Sequence, residues 1–126
     1  MIIVTIPQAG LPWLSSNATT NRHWRHRQQV TKAWREAAAW IARVDRVQPF
    51  HRPVHITGTI HRANRQVWDV DGAVVTIKAA IDGLRDAGVL AGDDHRYVRS
   101  VTSEWGEPDP DAPRLVLAIS EVEAVA

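Results

Sequence analysis

Cysteine is absent from the 126 residues, which excludes disulfides and any thiolate-bound metal centre. Nowhere does an apolar run approach the ~20 residues of a membrane-spanning helix. The opening MIIVTIPQAG lacks the basic start and long apolar core of a secretory signal. No internal repeat is present. These absences predict a soluble, cytoplasmic protein of one domain, residues 1–126, and the 44% apolar content is enough for a core.

Charge is present but unevenly spread. The formal net charge is +1, yet residues 1–66 hold ten Lys and Arg against two Asp and Glu, while residues 67–126 hold five against twelve. A basic half beside an acidic half suits a protein that grips phosphates with one region and gathers cations with the other. Interleaving of the two halves in space, with mutual neutralisation, is the ordinary alternative.

Residues 2–6, all β-branched, predict a buried strand ended by Pro7. Residues 7–22, rich in Pro, Gly, Ser, Thr and Asn, predict a long loop. That loop runs into Asn21-Arg22-His23-Trp24-Arg25-His26-Arg27. Arginines at this density suit phosphate contacts, and an aromatic among them can stack on an exposed base. Arg22, Trp24, Arg25, Arg27 and Lys32 are therefore the candidate DNA-binding residues, against the reading of a solvated basic loop with Trp24 tucked onto the core.

Helical spacing of Val30, Trp34, Ala37, Ala38, Ile41 and Val44 predicts a first helix over 28–46 with those residues facing the core, and Trp34 and Trp40 as packing residues. Alternation predicts a strand over 53–61 with Val54, Ile56 and Ile60 inward and His55 and His61 on the polar face. A second helix is expected over 71–87 with Gly88 as its stop. Two strands follow, 96–105 and 114–122, predicted to pair as antiparallel neighbours across the exposed connector Glu107–Asp111. The order β-α-β-α-β-β points to an α+β fold, a single mixed β-sheet with two helices packed on it.

The stretch 68–94, WDVDGAVVTIKAAIDGLRDAGVLAGDD, carries the chemistry. Asp69 and Asp71 precede the second helix, and Asp93 and Asp94 follow it. Asp71, Lys78 and Asp82 are spaced by seven and four, which puts them on one stripe of a helix starting near Asp71. Val74, Ile77, Ile81 and Leu84 make the expected core stripe. Hard cations such as Mg²⁺ take carboxylate oxygens together with substrate phosphate oxygens. Such an ion activates water and stabilises charge at phosphorus, and a nearby lysine adds a fixed positive charge. Ordinary readings also exist: Asp69 and Asp71 as helix caps, Lys78 and Asp82 as a surface pair, and Gly92-Asp93-Asp94 as a turn.

Read together, Asp69-Val70-Asp71, Lys78-Ala79-Ala80-Ile81-Asp82-Gly83-Leu84, and Asp93-Asp94 followed by Tyr97 and Val98 resemble the signature of the RusA family of Holliday junction resolvases, common in phages and prophages. The opening IPQAGLPWLSSNATTNRHWRHR is similar to the family's strand and basic loop. The resemblance implies a metal-dependent endodeoxyribonuclease that resolves four-way junctions by paired symmetric nicks and acts as a homodimer in the bacterial cytoplasm. It implies catalytic roles for Asp69, Asp71, Lys78 and Asp94, with Mg²⁺, or Mn²⁺ in its place, on Asp69, Asp71 and Asp94. Asp93 is the alternative third ligand. Asp82 either orients Lys78 or forms a plain salt bridge. Two features depart from the family pattern: Gly72 stands where many members have Asn, and the spacing from Asp71 to Lys78 is the longer form. Two other functions are compatible with the residues, a junction-binding protein that does not cut and a small phosphoesterase.

Overall fold

The computed structural model describes residues 1–14, 24–68 and 72–123. Four strands and two helices alternate as β1 (Ile2–Pro7), α1 (Trp24–Val44), β2 (Val54–His61), α2 (Ala73–Asp86), β3 (Val98–Trp105) and β4 (Arg114–Glu121). They form a single mixed sheet in the order β1-β4-β2-β3 with two helices, so the α+β architecture and the element order match the expectation. No helix among the described residues is long and apolar enough to cross a membrane.

The sheet pairing corrects the expected β3–β4 hairpin. β4 lies between β1 and β2 and is antiparallel to both, while β3 pairs with β2 in parallel. The residues explain the swap. Leu115, Leu117 and Ile119 of β4 are fully buried, as befits a central strand. Strand β3 carries Arg99 and Glu104 and buries only Val98, a composition that tolerates an edge. Because α2 separates β2 from β3, the unit is a crossover, and crossovers join parallel neighbours.

Three further expectations are corrected. Strand β1 is buried on one face only: Val4 and Ile6 are inside, whereas Ile3 lies on the opposite face and Ile2, at the start of the strand, is exposed. On α1, Trp34 is buried as expected, but Trp40 and Val44 are exposed. On α2, Val74 is exposed, because this helix buries two sides instead of one stripe.

Those two sides are set by small residues. Ile77, Ile81 and Leu84 join the sheet-side core, and Gly58 of β2 leaves room for Ile77, whose Cδ1 would lie 2.7 Å from a Cβ placed there. Thr76, Ala79, Ala80 and Gly83 are buried as well, on the side turned toward α1. At Gly83 a Cβ would collide with the Arg35 carbonyl oxygen and sit 2.8 Å from the Ala38 Cβ. The outward strip of α2 carries Val74, Lys78, Asp82 and Arg85, and Asp86 is exposed at the helix end. The segment before α1 straps this helix pair: Trp13 stacks on Trp34 at 4.9 Å, Trp34 Nε1 donates to the Pro12 carbonyl (2.8 Å), and the Leu14 amide donates to Thr76 Oγ1 (3.0 Å).

Candidate active site on the second helix

Helix α2 ends in a left-handed cap. Gly88 has φ +80°, and its amide and that of Val89 donate to the carbonyls of Arg85 and Leu84 (both 3.0 Å), the paired bonds of a Schellman motif. Val89 and Leu90 then bury, which brings the chain back along the helix. Gly92 passes under the Tyr97 ring, where a Cβ would lie 2.6 Å from Cδ2. This return path delivers Asp93 to the outward strip of α2.

Lys78 is the centre of the cluster. Its Nζ donates to Asp93 Oδ2 (2.7 Å) and to Asp82 Oδ1 (3.1 Å). Arg85 approaches the other oxygen of Asp93 at 3.4 Å. Partial burial opposes the charge on Lys78, but the hydrogen bonds to Asp93 and Asp82 outweigh it, so the ammonium is held above the usual lysine value. The hydrogen bond from Lys78 holds the Asp93 carboxyl below its ordinary range. The lysine is therefore a fixed cation with half of its side chain open to solvent.

Asp94 faces elsewhere. Arg96 holds both of its oxygens, Nε on Oδ1 and Nη2 on Oδ2, each at 2.9 Å, and the Arg96 amide adds a bond to Oδ1 at 3.0 Å. These bonds push the Asp94 carboxyl down to about 2. The structure thus brings Asp93, and not Asp94, together with Lys78 and Asp82.

The beginning of α2 is a second locus. Gly72 is the N-cap and makes no side-chain cap. A Cβ on Gly72 would touch the Trp105 ring at 3.6 Å. Trp68 meets the same ring edge-on at 5.3 Å, and the Arg62 guanidinium lies 4.6 Å from Trp105 and 5.6 Å from Trp68. Trp105, at the end of β3, therefore bounds the chain on either side of the D-x-D motif. Asp69 and Asp71 lie outside the described residues, as does Arg22.

The other predicted nucleic-acid contacts occupy the first turns of α1. Trp24 is 57% exposed. It lines, with Arg27, Thr31, Lys32, Arg35 and Asp86, a groove of about 700 Å³. Arg25 is exposed beside it, and Lys32 is near Glu36 at 3.8 Å. Arg35 is bound to Asp86 through two hydrogen bonds, one of 2.7 Å, which connects this groove to the end of α2.

Two residues of these loci were not anticipated. Arg85 was legible, being seven residues beyond Lys78 and so on the same strip. Trp105 was not, because only strand order brings it to the start of α2, whereas Arg62 stands on the stretch that leads with Trp68 into the acidic segment. The described donors in the cluster are all carboxylate oxygens, the chemistry that suits Mg²⁺. Among the described residues no three such groups stand close enough to hold an ion, and Asp93 and Asp94 are each engaged by a cation. Two of the three expected ligands, Asp69 and Asp71, are outside that set. Compared with known proteins, the chain matches no family model and no curated protein.

Proposed function

We propose that this protein is a Mg²⁺-dependent, structure-selective endodeoxyribonuclease that resolves four-way DNA junctions. The observation that carries the reading is Lys78, a solvent-facing ammonium held between Asp93 and Asp82 on the helix that the D-x-D motif introduces. Asp69 and Asp71 would hold the cation with one of the Asp93-Asp94 pair. Asp93 is favoured because it shares the face of Lys78, whereas Asp94 is turned away to Arg96. When bound, the cation supplies charge neutralisation at the scissile phosphate and acidifies water. Lys78 binds the phosphate and offsets the charge that grows on it as water adds and the P–O bond breaks. Arg22, Arg25, Arg27 and Lys32 hold the backbone, and Trp24 offers a face for an unpaired base. A junction has two-fold symmetry, so paired nicks call for two copies of the chain. The resemblance extends the reading to a phage- or prophage-encoded enzyme acting in the cytoplasm of its host.

One observation favours a second reading. Lys78, Asp82, Asp93 and Arg85 satisfy one another without an added ion, as expected of a protein that binds junctions without cutting them. The two separate on a labelled four-way junction incubated with Mg²⁺ or EDTA, with linear duplex and mononucleotides as competitors. A nuclease nicks the junction symmetrically with Mg²⁺ only. Asp69→Asn and Asp71→Asn each abolish nicking while leaving junction binding unchanged or tighter, and Lys78→Met slows nicking by about 10²–10³-fold. Binding without any nicking by the wild-type chain establishes the second reading. Hydrolysis confined to mononucleotides rejects both in favour of a small phosphoesterase.

A further inference from the structure

The segment before β2 and the return path after α2 enclose a cleft that is separate from the α1 groove. It measures about 300 Å³ and is lined by Phe50–Pro53 of the first and by Leu90, Ala91, Arg96 and Tyr97 of the second. The two walls are tied together: the Phe50 amide donates to the Val89 carbonyl and the Val54 amide to the Tyr97 carbonyl, both at 3.0 Å. The Tyr97 and Val98 amides close the turn below Arg96 on the Asp94 carbonyl, each at 2.9 Å. Leu90 is buried, and Phe50, Pro53 and Tyr97 are half-buried. The cleft is thus preformed around an apolar floor, at the small end of the range for ligand sites.

Its rim is cationic. His51, Arg52 and Arg96 are all exposed. A guanidinium carries five N–H donors. Arg96 uses its Nε and one Nη2 donor on Asp94, and its guanidinium lies 5.1 Å from the Tyr97 ring. Carboxylate and ring hold the group in place while the remaining donors stay open. Arg52 Nε stands 4.0 Å from Glu121, an ion pair longer than a hydrogen bond. Two positioned guanidinium groups above an apolar floor suit an anion attached to a ring or other apolar body. Place decides which anion. The turn that carries Arg96 also carries Asp93, which Lys78 binds at 2.7 Å. A strand lying along the outward strip of α2, past Lys78 and Arg85, therefore meets this cleft next.

We propose that the cleft seats one nucleotide of the DNA strand that passes Lys78, with its phosphate on Arg52 and Arg96 and its sugar and base against Phe50, Pro53 and Leu90. The identity of the strand rests on the junction-nuclease reading; the cleft itself is argued from its walls and charge. Asp94 acts here by fixing Arg96 over Tyr97, which accounts for a carboxylate turned away from the lysine.

The test is fluorescence anisotropy of the full chain with a labelled four-way junction and a labelled single-stranded oligonucleotide, in EDTA so that nothing is cut, repeated over a series of salt concentrations. Arg52→Gln and Arg96→Gln should each raise the dissociation constant about 10-fold, the loss of one charge-assisted phosphate contact. Each should also flatten the dependence of log Kd on log salt by about 0.7–0.9, one phosphate's share of counterion release. Arg46→Gln, the same charge change in the neighbouring groove, should leave that slope unchanged. Far-ultraviolet circular dichroism confirms that each variant is folded. Amide NMR of the wild-type chain with the oligonucleotide supplies the second readout, with shifts expected at 50–53 and 90–97. DNA binding that ignores both arginine substitutions overturns the proposal, and so does a slope that Arg46→Gln changes as much. Shifts at 50–53 and 90–97 caused by a glutamate-rich peptide and not by the oligonucleotide overturn it as well. A chain that nicks junctions but passes none of these tests keeps the nuclease reading and loses the cleft; a chain that passes them without nicking does the reverse.

Discussion

Helices α1 and α2 lie side by side yet use their surfaces differently. Eight of the 14 residues of α2 are buried, against five of the 21 in α1. Helix α2 is wedged between the sheet and α1, which fixes its rotation and leaves one outward strip, occupied by Lys78, Asp82 and Arg85. Helix α1 rests on the sheet with its outer turns free, and its first turns carry Trp24, Arg25 and Arg27. Side-chain position is thus specified tightly on the α2 strip and loosely on the first turns of α1. The contrast can be broken by changing residues that hold α2 in place.

The largest expected effect is at Gly83, where α1 approaches most closely. A methyl group there meets the Arg35 carbonyl and the Ala38 Cβ, both on a helix that cannot yield locally. Gly83→Ala should destabilise the fold by about 3 kcal/mol in urea denaturation, although alanine is the better helix former, because overpacking costs more than propensity returns. A neutral outcome would mean that α2 is not wedged, and the contrast would fail. Thr76 tests the other constraint on α2. It is fully buried and receives the Leu14 amide at 3.0 Å. Thr76→Val keeps the shape but strands that amide, a loss of about 1–3 kcal/mol.

How much of this was legible follows from the range of the interactions involved. Periodicity in 53–61 and in the helices identified elements and most core residues, since it reflects which face each element buries. Val74 was misplaced because a helix buried on two sides no longer follows a single stripe; Thr76, Ala79 and Gly83 look unremarkable until α1 is set against them. The β3–β4 hairpin failed because adjacency in sequence outweighed the plainer fact that Leu115, Leu117 and Ile119 suit a centre and Arg99 and Glu104 suit an edge. In the site, the Lys78–Asp82 contact followed from a four-residue step. The choice between Asp93 and Asp94 did not, because neighbours in an irregular turn point apart, one toward α2 and the other toward Arg96.

The helix ends sharpen the comparison on a smaller scale. Both close with the same bond pattern: at α1 the Val47 amide reaches the Ala42 carbonyl (3.0 Å) and the Arg46 amide reaches Arg43 (3.2 Å). The left-handed position is Gly88 after α2 but Arg46, at φ +54°, after α1. A side chain at such φ costs about 1 kcal/mol. Arg46→Gly should therefore stabilise the protein by about 0.5–1 kcal/mol and Gly88→Ala should destabilise it by about 1 kcal/mol, both measured by thermal or urea unfolding. The space around Gly88 is open, so any loss there reports backbone conformation and not a clash.

The smallest effect separates Asp93 from Asp94 by pH. Both carboxyls are depressed in the folded chain, Asp93 by the hydrogen bond from Lys78 and Asp94 by Arg96 to about 2. An unfolded aspartate titrates near ~4. A depressed carboxyl contributes stability above its unfolded pKa and loses it as pH falls through the folded value. For Asp94 the window runs from about pH 4 down to about 2. Asp94→Asn should flatten the fall in melting temperature across that window and change little at neutral pH, since the pair is exposed and screened. Asp93→Asn should flatten the acid side too, and it should also lower the Lys78 pKa, because it removes a hydrogen bond that raises it. Titration of the Lys78 side chain by NMR reads that difference: a shift with Asp93→Asn and none with Asp94→Asn assigns Asp93 to the lysine in solution, and the reverse result would return Asp94 to the site.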